Sequence, residues 1–272
     1  MEVRFWGVRG SIAVSGAAYA RAGGNTSCVE VRAGGERLIL DGGTGLRALG
    51  DTLVDKEGRT QAIRTTLLFS HVHWDHIQGV PFFGPAFHPG SELLLVGATR
   101  DGVDLRGALA RQMRAPNFPV DLDALRARVT YRAAATGEPF EVGPFRVTAT
   151  DLSHPNGVLA WRVEAEGRAV VYATDTEHGG AIDPRLVALA RGADLLVHDA
   201  QYTDEEYATR RGWGHSTWRE AVEVARRAEV ARLALFHHDP RRDDDTLAIV
   251  EDRARACLPG AFAAREGQAA LL

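Results

Sequence analysis

The chain has 272 residues, 45% of them hydrophobic and 25% charged, with a mean hydropathy of −0.18 and a pI near 6.2. That composition fits one large α/β domain with a substantial core, and no apolar run approaches the roughly 18–20 residues of a membrane span. The net charge of −4, with Lys56 the only lysine among arginines interspersed with acids, sets up no long-range field for a polyanion and argues against a large nucleic-acid partner.

The N-terminal Met1-Glu2-Val3-Arg4-Phe5-Trp6 is already strand-like and lacks the basic and apolar segments of a signal peptide. Gly7-Val8-Arg9-Gly10-Ser11 reads as a glycine-rich turn. Ser27-Cys28-Val29-Glu30-Val31 alternates with period two, Gly34-Gly35 makes a turn, and Arg37-Leu38-Ile39-Leu40 returns as a hairpin partner. Asp41-Gly42-Gly43-Thr44-Gly45 breaks that strand and leads into a helix at 46–55. Thr65-Thr66-Leu67-Leu68-Phe69-Ser70 is a short buried strand ending on His71, and Leu93-Leu94-Leu95-Val96-Gly97 is another, followed by a helix near 101–113 and a proline-rich connection at 115–119. The second half predicts strands at 145–150, 158–164 and 168–173, a helix at 183–191 and a strand at 194–198. A helix over 216–228, with Ser216 as N-cap, precedes a strand at 232–236 that runs into His237-His238. Strands alternating with helices, and hairpins among them, predict sheets covered by helices in one domain over 1–272. Cys28 and Cys257 stand far apart and read as free thiols, so the expected compartment is the cytoplasm.

The chemistry is concentrated in His71-Val72-His73-Trp74-Asp75-His76, just past an apolar strand. Three imidazoles and a carboxylate within six residues make a poor core and an expensive surface, but they are the donors a borderline metal such as Zn²⁺ takes. One short motif cannot close two metal sites. Three further residues stand at strand ends of the same kind: His154 after 145–150, Asp175 after 168–173 and His237 after 232–236. Singly each is an ordinary loop residue; together, their repeated placement makes them ligand candidates.

This set resembles the metallo-β-lactamase superfamily over essentially the whole chain, and the resemblance implies a four-layer αββα sandwich with metals in a cleft at one edge of the sheets. It implies that His71, His73 and His154 hold one metal, that Asp75, His76 and His237 hold a second, and that Asp175 bridges them. The metals would be two Zn²⁺, with Mn²⁺ or Fe²⁺ as substitutes. Asp41, in the glycine-rich loop, would support the metal loops from behind. The bridging Asp175 separates the chain from true β-lactamases, and His73 separates it from the flavodiiron oxidoreductases. Gly214-His215-Ser216-Thr217 is similar to the His-Ser-Thr motif of ribonuclease Z, where the histidine is catalytic and binds no metal, and Val197-His198-Asp199-Ala200 resembles that branch's His-Glu-Ala-Thr segment with Asp for Glu. Helix capping is the alternative reading of His215.

The expected reaction is two-metal hydrolysis of a phosphodiester, with Asp75 orienting the nucleophile, His215 serving the leaving group and Asp199 fixing His215. Ribonuclease Z commonly carries a long tRNA-gripping arm between the residues matching His154 and Asp175; here 20 residues intervene, room for a hairpin only. The expected substrate is therefore a small or cyclic phosphodiester rather than long nucleic acid, and a homodimer is expected by analogy. The alternatives are a tRNA 3′-processing endonuclease, a thioester or lactone hydrolase of glyoxalase II type, and a noncatalytic metal-binding sensor module. Of the remaining residues, His198 reads as a buried hydrogen-bonding group, His178 as either a cleft or a loop-surface residue, and His238 as pointing away from its neighbour. His88 reads as surface, Phe82 and Phe83 as core with the floor of the site as the alternative, and Arg106, Arg111 and Arg114 as a solvated face or a phosphate-contacting cover.

Overall fold

In the computed structural model, which describes residues 1–272, β1 (Glu2–Gly7) pairs antiparallel with β2 (Cys28–Ala33), which turns back into β3 (Glu36–Leu40). After α1 (Gly45–Asp51), β4 (Arg64–Leu68) joins β3 in parallel. The short α2 (Trp74–Ile77) follows, then β5 (Glu92–Gly97), α3 (Leu105–Gln112) and β6 (Arg128–Ala133). β7 (Phe140–Val142), β8 (Phe145–Leu152), β9 (Val158–Ala165) and β10 (Arg168–Ala173) form an antiparallel meander. From there the chain runs through α4 (Pro184–Ala190), β11 (Leu195–Asp199), α5 (Asp204–Tyr207), α6 (Trp218–Arg227) and β12 (Arg232–Phe236). α7 (Asp244–Cys257), β13 (Ala261–Ala263) and β14 (Ala269–Leu271) close it.

The strands form two seven-stranded mixed sheets, ordered β14-β1-β2-β3-β4-β5-β6 and β13-β12-β11-β10-β9-β8-β7. Side-chain alternation explains the layers. Leu38 and Leu40 of β3, with Phe5 and Val31, face Trp161, Val170, Tyr172 and Phe236 of the second sheet in the central core. Ile39, Leu67 and Leu95 point the other way and pack under Leu46, Leu49, Leu105 and Leu109 of α1 and α3. Val171, Leu196 and Leu233 do the same under Leu186, Trp218, Ala221 and Val250 of α4, α6 and α7. Strands buried on both faces read as continuous apolar runs, as these do. The result is the αββα sandwich.

The expected helix at 216–228 starts two residues later, and its N-cap is Thr217 rather than Ser216. Thr217 and Glu220 form a reciprocal capping box, while the Ser216 hydroxyl is drawn away to donate to the Thr176 carbonyl at 2.5 Å. Sequence reading also missed α2, β6, β7, α5, α7, β13 and β14.

Candidate metal centre

β4, β8, β10 and β12 all deliver their C-terminal ends to one edge of the sandwich, and each is followed within two or three residues by a polar side chain of the expected set. His71 follows β4 through Phe69 and Ser70; His73 caps α2, whose first turn holds Asp75 and His76. His154, Asp175 and His237 follow β8, β10 and β12. Asp41, Asp175 and His237 have φ of 60°, 50° and 58°. The left-handed region is costly for such residues and is held only where surrounding structure over-determines it.

All seven predicted ligands converge. His71, His73 and His154 form one set, and Asp75, His76, Asp175 and His237 another, with the ligand atoms of each set within 4.8 Å of one another. Asp175 spans both: its Oδ1 lies 3.2 Å from His76 Nε2 and 3.1 Å from His237 Nε2, and its Oδ2 lies 3.7 Å from His71 Nε2 and 3.8 Å from His154 Nε2. Asp75 Oδ2 is 3.2 Å from His76 Nε2 and 3.1 Å from His237 Nε2, and it accepts the Ser11 N–H at 2.7 Å.

Each of the five imidazoles is tied down on its outer side, leaving one nitrogen facing inward. His76 Nδ1 donates to Asp41 at 2.8 Å, His154 Nδ1 to the Gly214 carbonyl at 2.8 Å, and His237 Nδ1 to the Gln201 amide oxygen at 2.8 Å. His73 Nε2 donates to Asn156 at 3.2 Å, which turns its Nδ1 inward. His71 Nδ1 meets the Ser70 hydroxyl at 3.1 Å, and that hydroxyl donates to Asp41. The buried Asp41 carboxylate also accepts the Ser70 N–H at 2.7 Å and the Tyr172 hydroxyl at 2.8 Å, so it locks two ligand loops and the second sheet together. Gly214 must stay a glycine, because a Cβ there would lie 2.2 Å from His154 Nδ1.

These donors fit a metal. The Nε2 atoms of His71 and His76 are buried with no hydrogen-bond partner, and His154 Nε2 stands 3.1 Å from His73 Nδ1. Orphaned buried nitrogens are expensive unless a cation takes their lone pairs. Burial holds the His71 and His154 imidazoles below their ordinary range, hence neutral. Burial would raise the Asp75 and Asp175 carboxyls, but the surrounding imidazoles outweigh it and keep both ionised. Ligands must be deprotonated in this way to bind. His76 goes the other way: burial lowers it, yet Asp175, Asp75 and Asp41 pull it well up. Asp41 acts on this ring from behind, at Nδ1, while Asp75 and Asp175 face its inward Nε2 in the ligand cluster.

Beside the cluster, His215 Nδ1 pairs with Asp199 Oδ2 at 2.8 Å, and its ring stacks on His237 with centroids 4.9 Å apart and lies 5.4 Å from the ring of His154. Asp199 also accepts the N–H groups of Thr176 and Gln201. Burial would depress His215, but the Asp199 carboxylate outweighs it and holds the imidazole at about 9. His198 is buried as expected, with Nδ1 on the Asp199 carbonyl at 2.7 Å; His178 is buried against it rather than lying on a loop surface, the two Nε2 atoms 3.3 Å apart. His238 turns away to the Ala264 carbonyl at 2.9 Å. His88 is half-buried, Phe83 is core and Phe82 is exposed. Arg106, Arg111 and Arg114 are exposed, and Arg106 pairs with Asp123. Gln201, Asn156 and Tyr172 escaped sequence reading. Gln201 and Asn156 had a local signal, each two residues past a singled-out site residue, Asp199 and His154.

No helix is long and apolar enough to cross a membrane. Residues 36–238 match the β-lactamase superfamily domain. The chain is 30% identical to ribonuclease Z of Haloferax volcanii, covering 98% of this chain and 94% of that protein. Among solved structures, the short form of human tRNase Z superposes with a TM-score of 0.70 at 21% identity, covering 100% of this chain and 99% of that one. A diphosphatase of the PhnP family superposes with a TM-score of 0.71 at 17% identity, covering 100% and 97%. With its fold, its His/Asp cluster and these relatives, the chain belongs to the β-lactamase superfamily, in the branch of ribonuclease Z and its phosphodiesterase-like relatives, and is a metal-dependent hydrolase.

Proposed function

We propose that the protein is a two-metal phosphodiesterase, in which His71, His73 and His154 would hold one Zn²⁺, Asp75, His76 and His237 would hold a second, and Asp175 would serve both. A bound metal pair supplies Lewis acidity, lowering the pKa of its water and neutralising charge that builds on the phosphoryl oxygens. Asp75, fixed by the Ser11 N–H, orients the attacking water. His215, its Nδ1 held by Asp199, presents Nε2 to the departing oxygen and donates a proton there.

The observation that carries this reading is the buried His215–Asp199 pair beside the ligand cluster. A thiolate leaves readily without protonation, since a thiol's pKa is only about 8.5, whereas an alkoxide does not. A pair built to deliver a proton therefore favours a phosphodiester over a thioester, and a noncatalytic sensor has no use for it. A small substrate is favoured by the β9–β10 connection, which is a two-residue turn at Glu166-Gly167 with no gripping arm, and by a net charge that does not draw a polyanion. A second reading, RNA 3′-end processing, is favoured by the full-length likeness to a ribonuclease Z.

Metal-replete protein should hydrolyse bis(p-nitrophenyl) phosphate and a 2′,3′-cyclic nucleotide, and leave a glyoxalase II-type thioester untouched. The substrate class is decided by kcat/KM for cyclic and linear dinucleotides against a 3′-extended tRNA at near-physiological salt. The small-substrate reading expects the dinucleotides to win; a tenfold or greater preference for the tRNA would replace it with the RNA-processing one.

A further inference from the structure

Few large apolar side chains of this chain are exposed, and three of them, Val72, Trp74 and Trp213, lie within two residues of the cluster or of His215. Trp213 is 61% exposed and Trp74 is 70% exposed. A single exposed aromatic needs no explanation, but three large apolar side chains placed along the sequence round one polar cluster point to a contact there.

The backbone at Trp213 is also held in place. The Glu177 carboxylate accepts the N–H groups of Gly212 and Gly214, one on either side of it, both at 2.8 Å, and the Tyr207 hydroxyl at 2.7 Å. The Trp213 N–H itself bonds the Arg210 carbonyl at 3.2 Å. The same turn supplies the Gly214 carbonyl that orients His154 and leads directly into His215. The turn that carries the candidate ligand contact and leads into His215 thus also fixes the backbone from which an exposed indole projects. Across the site, Trp74 sits between His73 and Asp75, and the rings of His73, His154 and His215 link the two sides at 4.9 and 5.4 Å.

Resting on the phosphodiesterase reading, we propose that Trp213 is a stacking platform for the nucleobase next to the scissile phosphate, so that the substrate is a nucleotidyl phosphodiester. An indole on a held backbone offers a flat, polarisable face with only two side-chain torsions to fix, and stacking on it accepts any base. Glu177 is then a positioning residue acting through the turn.

The test compares two five-membered cyclic phosphodiesters, 2′,3′-cyclic AMP and glycerol 1,2-cyclic phosphate, on metal-replete full-length protein. The wild type should prefer the nucleotide, and Trp213→Ala should cut that kcat/KM ratio by roughly tenfold, within the range of base–aromatic stacking. Trp213→Phe, which keeps a ring, should retain part of it. Independently of turnover, AMP should quench tryptophan fluorescence more than ribose 5-phosphate does, and Trp213→Phe should lose the difference. An unchanged ratio in Trp213→Ala together with an unchanged quench in Trp213→Phe overturns the proposal. So does a Trp213→Ala protein that turns from dimer to monomer with its ratio intact, which would assign the residue to a contact between copies. If the wild type hydrolyses neither cyclic phosphate nor bis(p-nitrophenyl) phosphate nor a 3′-extended tRNA, the phosphodiesterase reading fails, and the fluorescence comparison still decides whether Trp213 stacks on a base.

Discussion

His215 and His237 stack on each other 4.9 Å apart, yet their outer partners differ in kind. His237 donates to a neutral amide, which leaves Nε2 a good lone-pair donor; His215 is bound to a carboxylate, which favours keeping its proton. The two should therefore fail differently. His215→Ala should lower kcat by roughly 10²–10⁴-fold, the range for a lost general acid, with metal content near that of the wild type. His237→Ala should lose metal along with activity. Loss of metal from His215→Ala would merge the two roles and remove the proton donor from the mechanism.

α7 shows what an element contributes away from the site. Asp243 caps it by accepting the Thr246 N–H, and Leu247, Val250, Glu251 and Ala254 form its buried stripe. Glu251 is a carboxylate in an apolar stripe, tolerated because Arg255 at 2.7 Å and Arg265 from beyond β13 pair with it. Burial would raise its carboxyl, and the guanidinium of Arg265, aided by Arg255, outweighs that and holds it below the ordinary glutamate range. A depressed folded value contributes stability above the unfolded value, about 4.3, that is lost as pH falls through the folded one. Glu251→Gln should therefore lower the urea midpoint near pH 6, and the gap from wild type should close as pH falls below about 4. A gap that persists at low pH would mean packing, not charge, explains the loss. Sequence reading missed this helix because Asp252, Arg253 and Arg255 mask its stripe, although the spacing 247, 250, 251, 254 was there to find. β6 and β7 were missed because they edge their sheets and bury little. The double-faced strands were legible as apolar runs, and the candidate ligand cluster was legible because five imidazoles and two carboxylates recur at their ends. What orients those ligands was not legible: Tyr172 reaches Asp41 across 131 residues, a pairing only the packed sheets reveal.

At the scale of the molecule, the centre lies where the two sheets meet. His71, His73, Asp75 and His76 belong to the first sheet, while His154, Asp175 and His237 belong to the second. Metal bound there links the two layers and favours the folded state by mass action, about 2.7 kcal/mol when free metal is a hundredfold above Kd. Chelation should lower Tm, and added Zn²⁺ should restore it; a Tm indifferent to metal would place binding elsewhere. Asp175, with one oxygen turned to each ligand set, is where the two-metal account is most exposed to test. Elemental analysis of protein purified without chelator, with Asp175→Ala alongside, measures this directly. The account predicts close to two equivalents of transition metal per chain and a clear loss in the variant. Saturation at one equivalent, unchanged in Asp175→Ala, would contradict it.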